Sequence, residues 1–337
     1  MQIDFFTVNS DDNIGSYRIW VRDLSRSINE SGNSSRIFSG TISEDIAKTI
    51  DSDSDAIVIC KSACEFIPDI RSAFKNIKIG AINIPRDYIS KDIDFVIVGS
   101  PEELCSMGNY ENVFIYPLIE RQFENIKIKN HEETEKLRIC FHGHYPHLGK
   151  FSPSICQALE NISSNIEIEL VIITGNPEFD WVIGKPNGIK IENHKYSVDT
   201  ISEIIQSCDI GIVPNVMDMS VYLPKSTIEF CHSDIGLYNT DYQIRFKNKT
   251  NGGRAYVFYQ HGLPVIHDLS PSSFEFMSKT GRYIVAHDAK SWEKEIRRLY
   301  NHKLRNIISN ENKNIFEEHY NPVNKAKDLL KFIKDIK

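Results

Sequence analysis

Short apolar runs recur along the chain, separated by stretches whose apolar positions have helical spacing. In the first half the runs predict strands at Ile3–Val8, Ser35–Phe38, Ala56–Cys60, Ile77–Ile84, Phe95–Gly99 and Val113–Pro117. In the second half they predict strands at Leu137–His142, Glu167–Thr174, Ile189–Glu192, Ile210–Pro214, Pro264–His267 and Tyr283–Ala286. Continuous runs such as Val96-Ile-Val98 and Leu170-Val-Ile-Ile173 suit strands covered on both faces, the pattern of parallel sheets. Helical spacing lies between them at Ser16–Glu30, Ser43–Ile50, Pro153–Ile162, Val198–Ser207, Gly253–His261 and Ser291–Leu299. Strand alternating with helix implies βαβ units with right-handed crossovers, hence an α/β protein of two doubly wound, Rossmann-like domains.

Between the halves, residues 120–136 are polar and charge-dense, ending in His131-Glu-Glu-Thr-Glu-Lys136. The expected division is an amino-terminal domain over 1–129, a linker at 130–134, a second domain over 135–308, and a helical segment over 309–337 packing back on the body. Open α/β sheets bind ligands beyond the carboxyl ends of their strands, so two facing sheets would form a site in a cleft. The stretch Val323–Lys337 places Leu329, Phe332, Ile333 and Ile336 on one face, with lysines around the rest. It reads either as a docked helix or as a basic amphipathic helix on an anionic membrane surface.

The 337 residues suffice for two domains. With 39 Lys plus Arg against 46 Asp plus Glu (net −7), the chain lacks the basic excess of a protein that grips nucleic acid through phosphates, and no nucleic-acid partner is expected. The seven cysteines are odd in number, mostly set in apolar runs, and have neither zinc-ribbon nor redox spacing, as in a reduced cytosolic protein. Met1-Gln-Ile-Asp-Phe5 has no basic and apolar signal-peptide pattern. No uncharged apolar run reaches the roughly 18 residues that spanning a bilayer requires. A cytoplasmic location is expected, at the inner face of the membrane if the terminal helix binds there.

The most informative segment runs from Phe246 to Ser273. A basic, glycine-containing turn (Lys247, Lys249, Gly252, Gly253, Arg254) leads into a short helix, a glycine stop at Gly262, a buried strand and a Ser270-Pro-Ser-Ser273 helix start. Glycines let backbone approach a ligand, and a serine-capped helix start offers N–H groups to an anion. Lys249 and Arg254 would add positive charge for a phosphate; the bland reading is a solvated turn followed by an ordinary connection.

The segment resembles the donor-site signature of the GT-B glycosyltransferases, a loop and short helix ending in Gly-x-Pro-Val-Ile. Upstream, Ile204-Ile-Gln-Ser-Cys-Asp-Ile-Gly-Ile-Val-Pro214 is similar to the family's preceding stretch, and Asn9–Arg18 resembles its glycine loop after the first strand. The resemblance implies transfer of a sugar from a nucleotide-activated donor to a glycan or lipid-linked acceptor, of the kind used in bacterial surface polysaccharide synthesis. It implies no catalytic metal, and no cofactor beyond the donor as co-substrate. Donor contacts are expected from Gly143, His144, Lys249, Asn251, Arg254, Ser270, Ser272 and Ser273. Many retaining members carry two glutamates eight positions apart here; this chain has Lys249 and Val257. A lysine there would suit a carboxylate-bearing donor sugar or a direct phosphate contact. A nucleotide-sugar epimerase of the same fold, or a non-catalytic relative that binds a nucleotide or partner, are the alternative readings.

The loop Phe141-His-Gly-His-Tyr-Pro-His-Leu-Gly-Lys150 follows the first strand of the second half, where the family brings backbone close to the donor phosphates. Its histidines offer protonatable groups, and His142 is a candidate acid–base residue. His-x-His would also suit a metal, but the loop holds no Asp or Glu to complete a set. Asp11 and Asp12 are candidate bases for the acceptor hydroxyl, or else caps of the helix near Ser16. Gly15, Tyr17 and Arg18 are expected acceptor or cleft contacts. His194-Lys-Tyr-Ser197 lies where the family contacts the nucleotide base, although Ser197 would equally cap the next helix. Asp51-Ser-Asp-Ser-Asp55 matches the metal-holding Asp-x-Asp only in composition and reads as a turn.

Overall fold

The computed structural model describes residues 1–40, 50, 53–85, 88–105, 107–149, 152–182, 184–218, 244–246, 252–268 and 270–336. The helix expected over 43–50 (except Ile50), Lys150, Lys249 and Asn251 thus lie outside the described residues. The chain forms two compact units: Met1–Glu124 with Asn251–Gly253 and Glu317–Lys337, and Asn125–Thr250 with Arg254–Phe316.

The first unit is built on six strands, β1 (Gln2–Thr7), β2 (Ser34–Ser39), β3 (Ala56–Cys60), β4 (Lys78–Ile82), β5 (Phe95–Val98) and β6 (Val113–Ile115). They pair in parallel in the order β2-β1-β3-β4-β5-β6. Alternation sorts the side chains: Ile3, Phe5 and Val58 face one side, Phe6, Ile57 and Ile59 the other. The first face is covered by a helical segment over 15–30 (α1), whose middle, Arg18–Asp23, has π geometry. Trp20, Leu24 and Ile28 of α1 pack there beside Ala326, Leu329, Leu330 and Ile333 of the C-terminal helix Pro322–Asp335. Lys78 Nζ donates to the carbonyls of Ile333 and Ile336, both at 2.8 Å, and so secures that helix's last turn. The apolar face that would enter a membrane surface is therefore spent on the core. Among the described residues no helix is long and apolar enough to cross a membrane.

The second unit carries β7 (Lys136–His142), β8 (Glu167–Thr174), β9 (Lys190–Lys195), β10 (Ile210–Val213), an antiparallel ribbon of β11 (Val216–Asp218) and β12 (Ile244–Phe246), and β13 (Val265–His267). The main sheet is parallel with the order β13-β10-β7-β8-β9. Chain direction across the sheet reverses between β7 and β10, the topological switch point at which such sheets bind ligands. The segment expected as a strand at Tyr283–Ala286 makes one bridge, His267 to Val285.

One face of this sheet packs on helices α2 (Pro153–Ser163) and α3 (Ala289–Leu299) through Ile139, Ile172, Ile212, Leu159, Trp292 and Ile296. The other face lies under α4 (Gly253–His261), whose Phe258 fills the place a side chain at Gly211 would take. The last helices are α5 (Pro271–Thr280) and α6 (His302–His319).

Residues 130–134, where a linker is expected, are tied into the second unit. His131 is buried, exchanges two 2.8 Å hydrogen bonds with the Asn306 side chain, and places Nε2 2.8 Å from the Gly262 carbonyl. Nearby, Asp209 faces Lys129 at 3.2 Å and Arg305 at 3.6 Å. Burial raises the Asp209 pKa, but His131, Lys129, the Arg138 amide and Arg305 outweigh it and hold the carboxyl at about 2.

Candidate functional site

In the first unit the candidate residues occupy the turn after β1 and the start of α1. Asp11 is exposed and accepts from the amide and side chain of Asn13 at 2.9 and 3.1 Å, closing the turn. Asp12 pairs with Arg22 at 3.0 Å. Neither aspartate caps the helix: the capping position is Ile14, which makes no side-chain bond. Gly15 adopts no positive φ, and a Cβ there would meet nothing closer than Arg18 Nη2 at 3.9 Å. Tyr17 lies against the apolar core, and partial burial together with Asp12 raises its pKa.

Arg18 departs from the expected ligand contact. It is buried, with Nη2 3.0 Å from Glu120 Oε2 and Nη1 donating to the Asp12 carbonyl at 2.7 Å. Burial raises the Glu120 pKa while Arg18 opposes it. A cation three residues after a loop glycine looks like a ligand group, but this one holds the loop to a segment 102 residues further along.

In the second unit the carboxyl ends of β7, β10 and β13 and the start of α4 converge. Gly143, directly after β7, has φ +126°, and a Cβ there would lie 2.8 Å from Arg254 Cδ. Only glycine suits both that backbone and that approach. The Arg254 side chain crosses this glycine toward the end of β10, where Nη2 donates to the Pro214 carbonyl at 3.2 Å and Asn215 Oδ1 at 2.5 Å. Asn215 is buried, and its Nδ2 reaches Ser270 Oγ at 3.4 Å. Burial lowers the Arg254 pKa to about 10 despite the opposing charge of Asp268, so the guanidinium stays protonated at neutral pH.

His142 lies beneath α4, its ring edge-on to Phe258 at 4.8 Å. Its Nε2 donates to the Arg254 carbonyl at 2.9 Å, because a carbonyl only accepts. Burial, with the charges of Arg254 and His261 adding to it, pushes its pKa down to about 4. His142 is expected as an acid–base group; in the structure its ring is buried and its bond to the Arg254 carbonyl helps position the start of α4. His144 is exposed, its ring centroid 5.3 Å from that of Tyr145 and 6.3 Å from that of His147.

The serines of α5 also differ from expectation. Ser270 and Ser273 form a reciprocal capping box, with Ser273 N donating to Ser270 Oγ at 3.4 Å and Ser270 N to Ser273 Oγ at 3.0 Å. Ser273 Oγ also reaches the Asp268 carbonyl at 2.9 Å, and Ser270, Ser272 and Ser273 are all buried. These side chains stabilise the helix start, so the donors at Ser270 and Ser273 expected for an anion are engaged. His194 pairs with Glu192 at 2.6 Å on β9, and Ser197 Oγ accepts from the Asp199 amide at 3.3 Å. Asp55 accepts from the Gln2 amide at 2.7 Å and so ties the residue before β3 to the start of β1. Among the described residues no group of three or more His, Cys, Asp or Glu is arranged to hold a metal ion.

Of the candidates in this unit, the structure brings together His142, Gly143 and Arg254. It adds Asn215, His267 and Asp268, which the sequence did not single out. The available signal was positional: each is a polar residue at the carboxyl end of an apolar strand, where α/β sheets present ligand groups.

No protein-family model matches the sequence, and no curated protein matches it. Solved structures do match over nearly the whole chain. Sucrose-phosphate synthase from Thermosynechococcus elongatus superposes with a TM-score of 0.63 at 11% identity, covering 99% of this chain and 98% of that one. A glycosyltransferase from Rickettsia africae gives 0.64 at 12% identity over 99% and 98%. Anabaena HepE, in complex with UDP, gives 0.61 at 11% identity over 99% and 100%. The chain has the GT-B fold, with two Rossmann-like units built on parallel sheets of six and five strands.

Proposed function

We propose that this protein is a nucleotide-sugar-dependent glycosyltransferase that transfers a glycosyl group to a glycan or lipid-linked acceptor, without a catalytic metal, in surface polysaccharide synthesis. The observation that carries this reading is Arg254, a guanidinium held across Gly143 at the switch point between β7 and β10. A fixed cation at the carboxyl edge of a parallel sheet is suited to the phosphates of an activated donor, where negative charge grows as the glycosyl bond breaks. Similarity in fold to one protein named as a glycosyltransferase, and to another solved in complex with UDP, supports the same reading. Gly143, His144, Lys249, Asn251 and Arg254 would hold the donor. Asp11 is the better candidate acceptor base of the two aspartates, because Asp12 is paired with Arg22. Cytoplasmic action and contact of the terminal helix's lysines with an anionic membrane belong to the same proposal.

One observation favours a second reading. Val257, at the position of a retaining enzyme's acid, is a buried residue of α4, so the helix offers no carboxylate there. A relative that binds a nucleotide without turning it over would have this feature. A thermal-shift panel of nucleotides and nucleotide sugars, followed by turnover with glycan acceptors, separates the readings. A ligand at a hundred times its Kd adds about 2.7 kcal/mol. Stabilisation that Arg254→Ala abolishes, with sugar transfer, supports the enzyme; stabilisation without transfer or hydrolysis supports the binding protein.

A further inference from the structure

Among the enclosed side-chain nitrogens with no hydrogen-bond partner in the described residues are Arg254 Nη1 and His267 Nδ1. Both belong to the same end of the second unit. Arg254 Nη2 is tied to Pro214 and Asn215, the two residues after Val213, and Val213 is the β-sheet partner of His267. His267 lies under α4 with Nε2 against the Tyr259 hydroxyl, only 2% exposed. Burial, aided by the nearby charge of Arg254, drives its pKa down to about 3, so the ring is neutral.

A buried donor left without an acceptor costs about 1–3 kcal/mol. Two such groups near the end of β10 call for an occupant that supplies acceptors. When the Tyr259 hydroxyl donates to Nε2, the imidazole proton resides on Nδ1, and the two groups are a cationic N–H and a neutral N–H. Such a pair offers donors only, and its chemical complement is an oxyanion with more than one acceptor atom. The negative charge of buried Asp268 partly offsets the cost of burying the Arg254 guanidinium.

We propose that Arg254 Nη1 and His267 Nδ1 jointly receive one phosphoryl group of the donor, with Asn215 as the positioning residue that fixes the guanidinium between the ends of β7 and β10. This deepens the donor-site reading above and rests on it. The assignment gives His267 a binding role that needs no change of protonation, and it places the phosphoryl group against side chains rather than at the closed cap of α5.

Calorimetric titration of the full chain with inorganic pyrophosphate and with nucleoside diphosphates tests it. His267→Phe removes the ring donor and weakens both by roughly tenfold or more, whereas His267→Asn, whose amide replaces the Nδ1 donor, stays within about threefold of wild type. Asn215→Ala weakens both by a similar factor while the melting temperature reports folding separately. Equal losses for the Phe and Asn variants, or wild-type binding by a folded His267→Phe, overturn the proposal. Should the Phe variant fail to fold, 15N-histidine-labelled wild type decides. A ring N–H signal, assigned to His267 with the Asn variant, that shifts on adding pyrophosphate supports the contact, and an unmoved signal overturns it. Nucleoside diphosphate binding that ignores His267 removes this inference and leaves the donor-site reading standing. Pyrophosphate binding that needs both residues, with no affinity for any nucleotide or nucleotide sugar, keeps the oxyanion pair and sinks glycosyl transfer. No anion binding at all means that only water bridges the two nitrogens, and both ideas fall.

Discussion

Replacing Gly143 by alanine is the sharpest perturbation available at the switch point. The φ of +126° lies where L-residues rarely sit, and holding alanine there costs ~1–3 kcal/mol. The added Cβ would meet Arg254 Cδ at 2.8 Å, well inside the ~3.5–4 Å of a carbon–carbon contact. The arginine cannot yield freely, because its guanidinium is bonded to Pro214 and Asn215. If it moves, charge-assisted bonds worth about 1.5–3 kcal/mol are lost. Urea unfolding should show a stability loss of about 2–4 kcal/mol, and nucleoside diphosphate affinity should fall by about 10- to 100-fold. The second effect should act through the arginine, so in an Arg254→Met background Gly143→Ala should cost little further affinity. Wild-type affinity in Gly143→Ala, or an equal loss with and without Arg254, would refute the placement of this guanidinium at the ligand.

Other expectations rest on the buried groups and ion pairs described above. His142→Gln keeps a donor toward the Arg254 carbonyl but does not titrate. Above pH 6.5 both folded and unfolded wild type hold His142 neutral; between 6.5 and about 4 only the unfolded chain takes the proton, so stability falls with pH. Urea unfolding should show wild type losing about 2 kcal/mol more than the variant between pH 7.5 and 5, and parallel losses would contradict this. Asp209→Asn leaves Lys129 and Arg305 without their shared carboxylate and should cost about 3–5 kcal/mol by denaturant titration at pH 7. Glu120→Gln strips buried Arg18 of its counter-charge and should destabilise by a similar amount while nucleotide affinity stays unchanged, since Arg18 serves the loop. Leu329→Ala should cost about 2–5 kcal/mol, measured by thermal and urea unfolding, because that side chain is fully buried in the first unit's core.

Apolar runs made most of the fold legible. Ala56–Cys60 and Glu167–Thr174 are strands with the bounds their composition predicts, because strands buried on both faces need nearly unbroken apolar sequence. The first turns of the helix His302–His319, before the helical segment expected from 309, escaped this reading because its inward side includes Arg305 and Ser309, polar residues that bond to His131, remote in sequence. Hydrophobic periodicity is blind to such a face. In the candidate site, Gly143 and Arg254 were visible as a loop glycine and a cation near a short helix. Asn215 and His267 were not, since their chemistry arises from the pairing of β10 with β13. Ser270 and Ser273 read as ligand groups because a cap and an anion site share one sequence pattern; in the structure the two serines bond to each other as a capping box.

The docking of Pro322–Asp335 on the first unit has a consequence for synthesis. A ribosome releases β1 through β6 long before it makes Leu329 and Ile333, so the sheet that emerges first waits with one apolar face incompletely covered. The second unit, whose residues run from Asn125 to Phe316 apart from the Asn251–Gly253 stretch, can close its core first. The order of completion along the nascent chain is thus the reverse of the order of translation. A message that stopped just before Pro322 would release a finished second unit joined to an aggregation-prone first one.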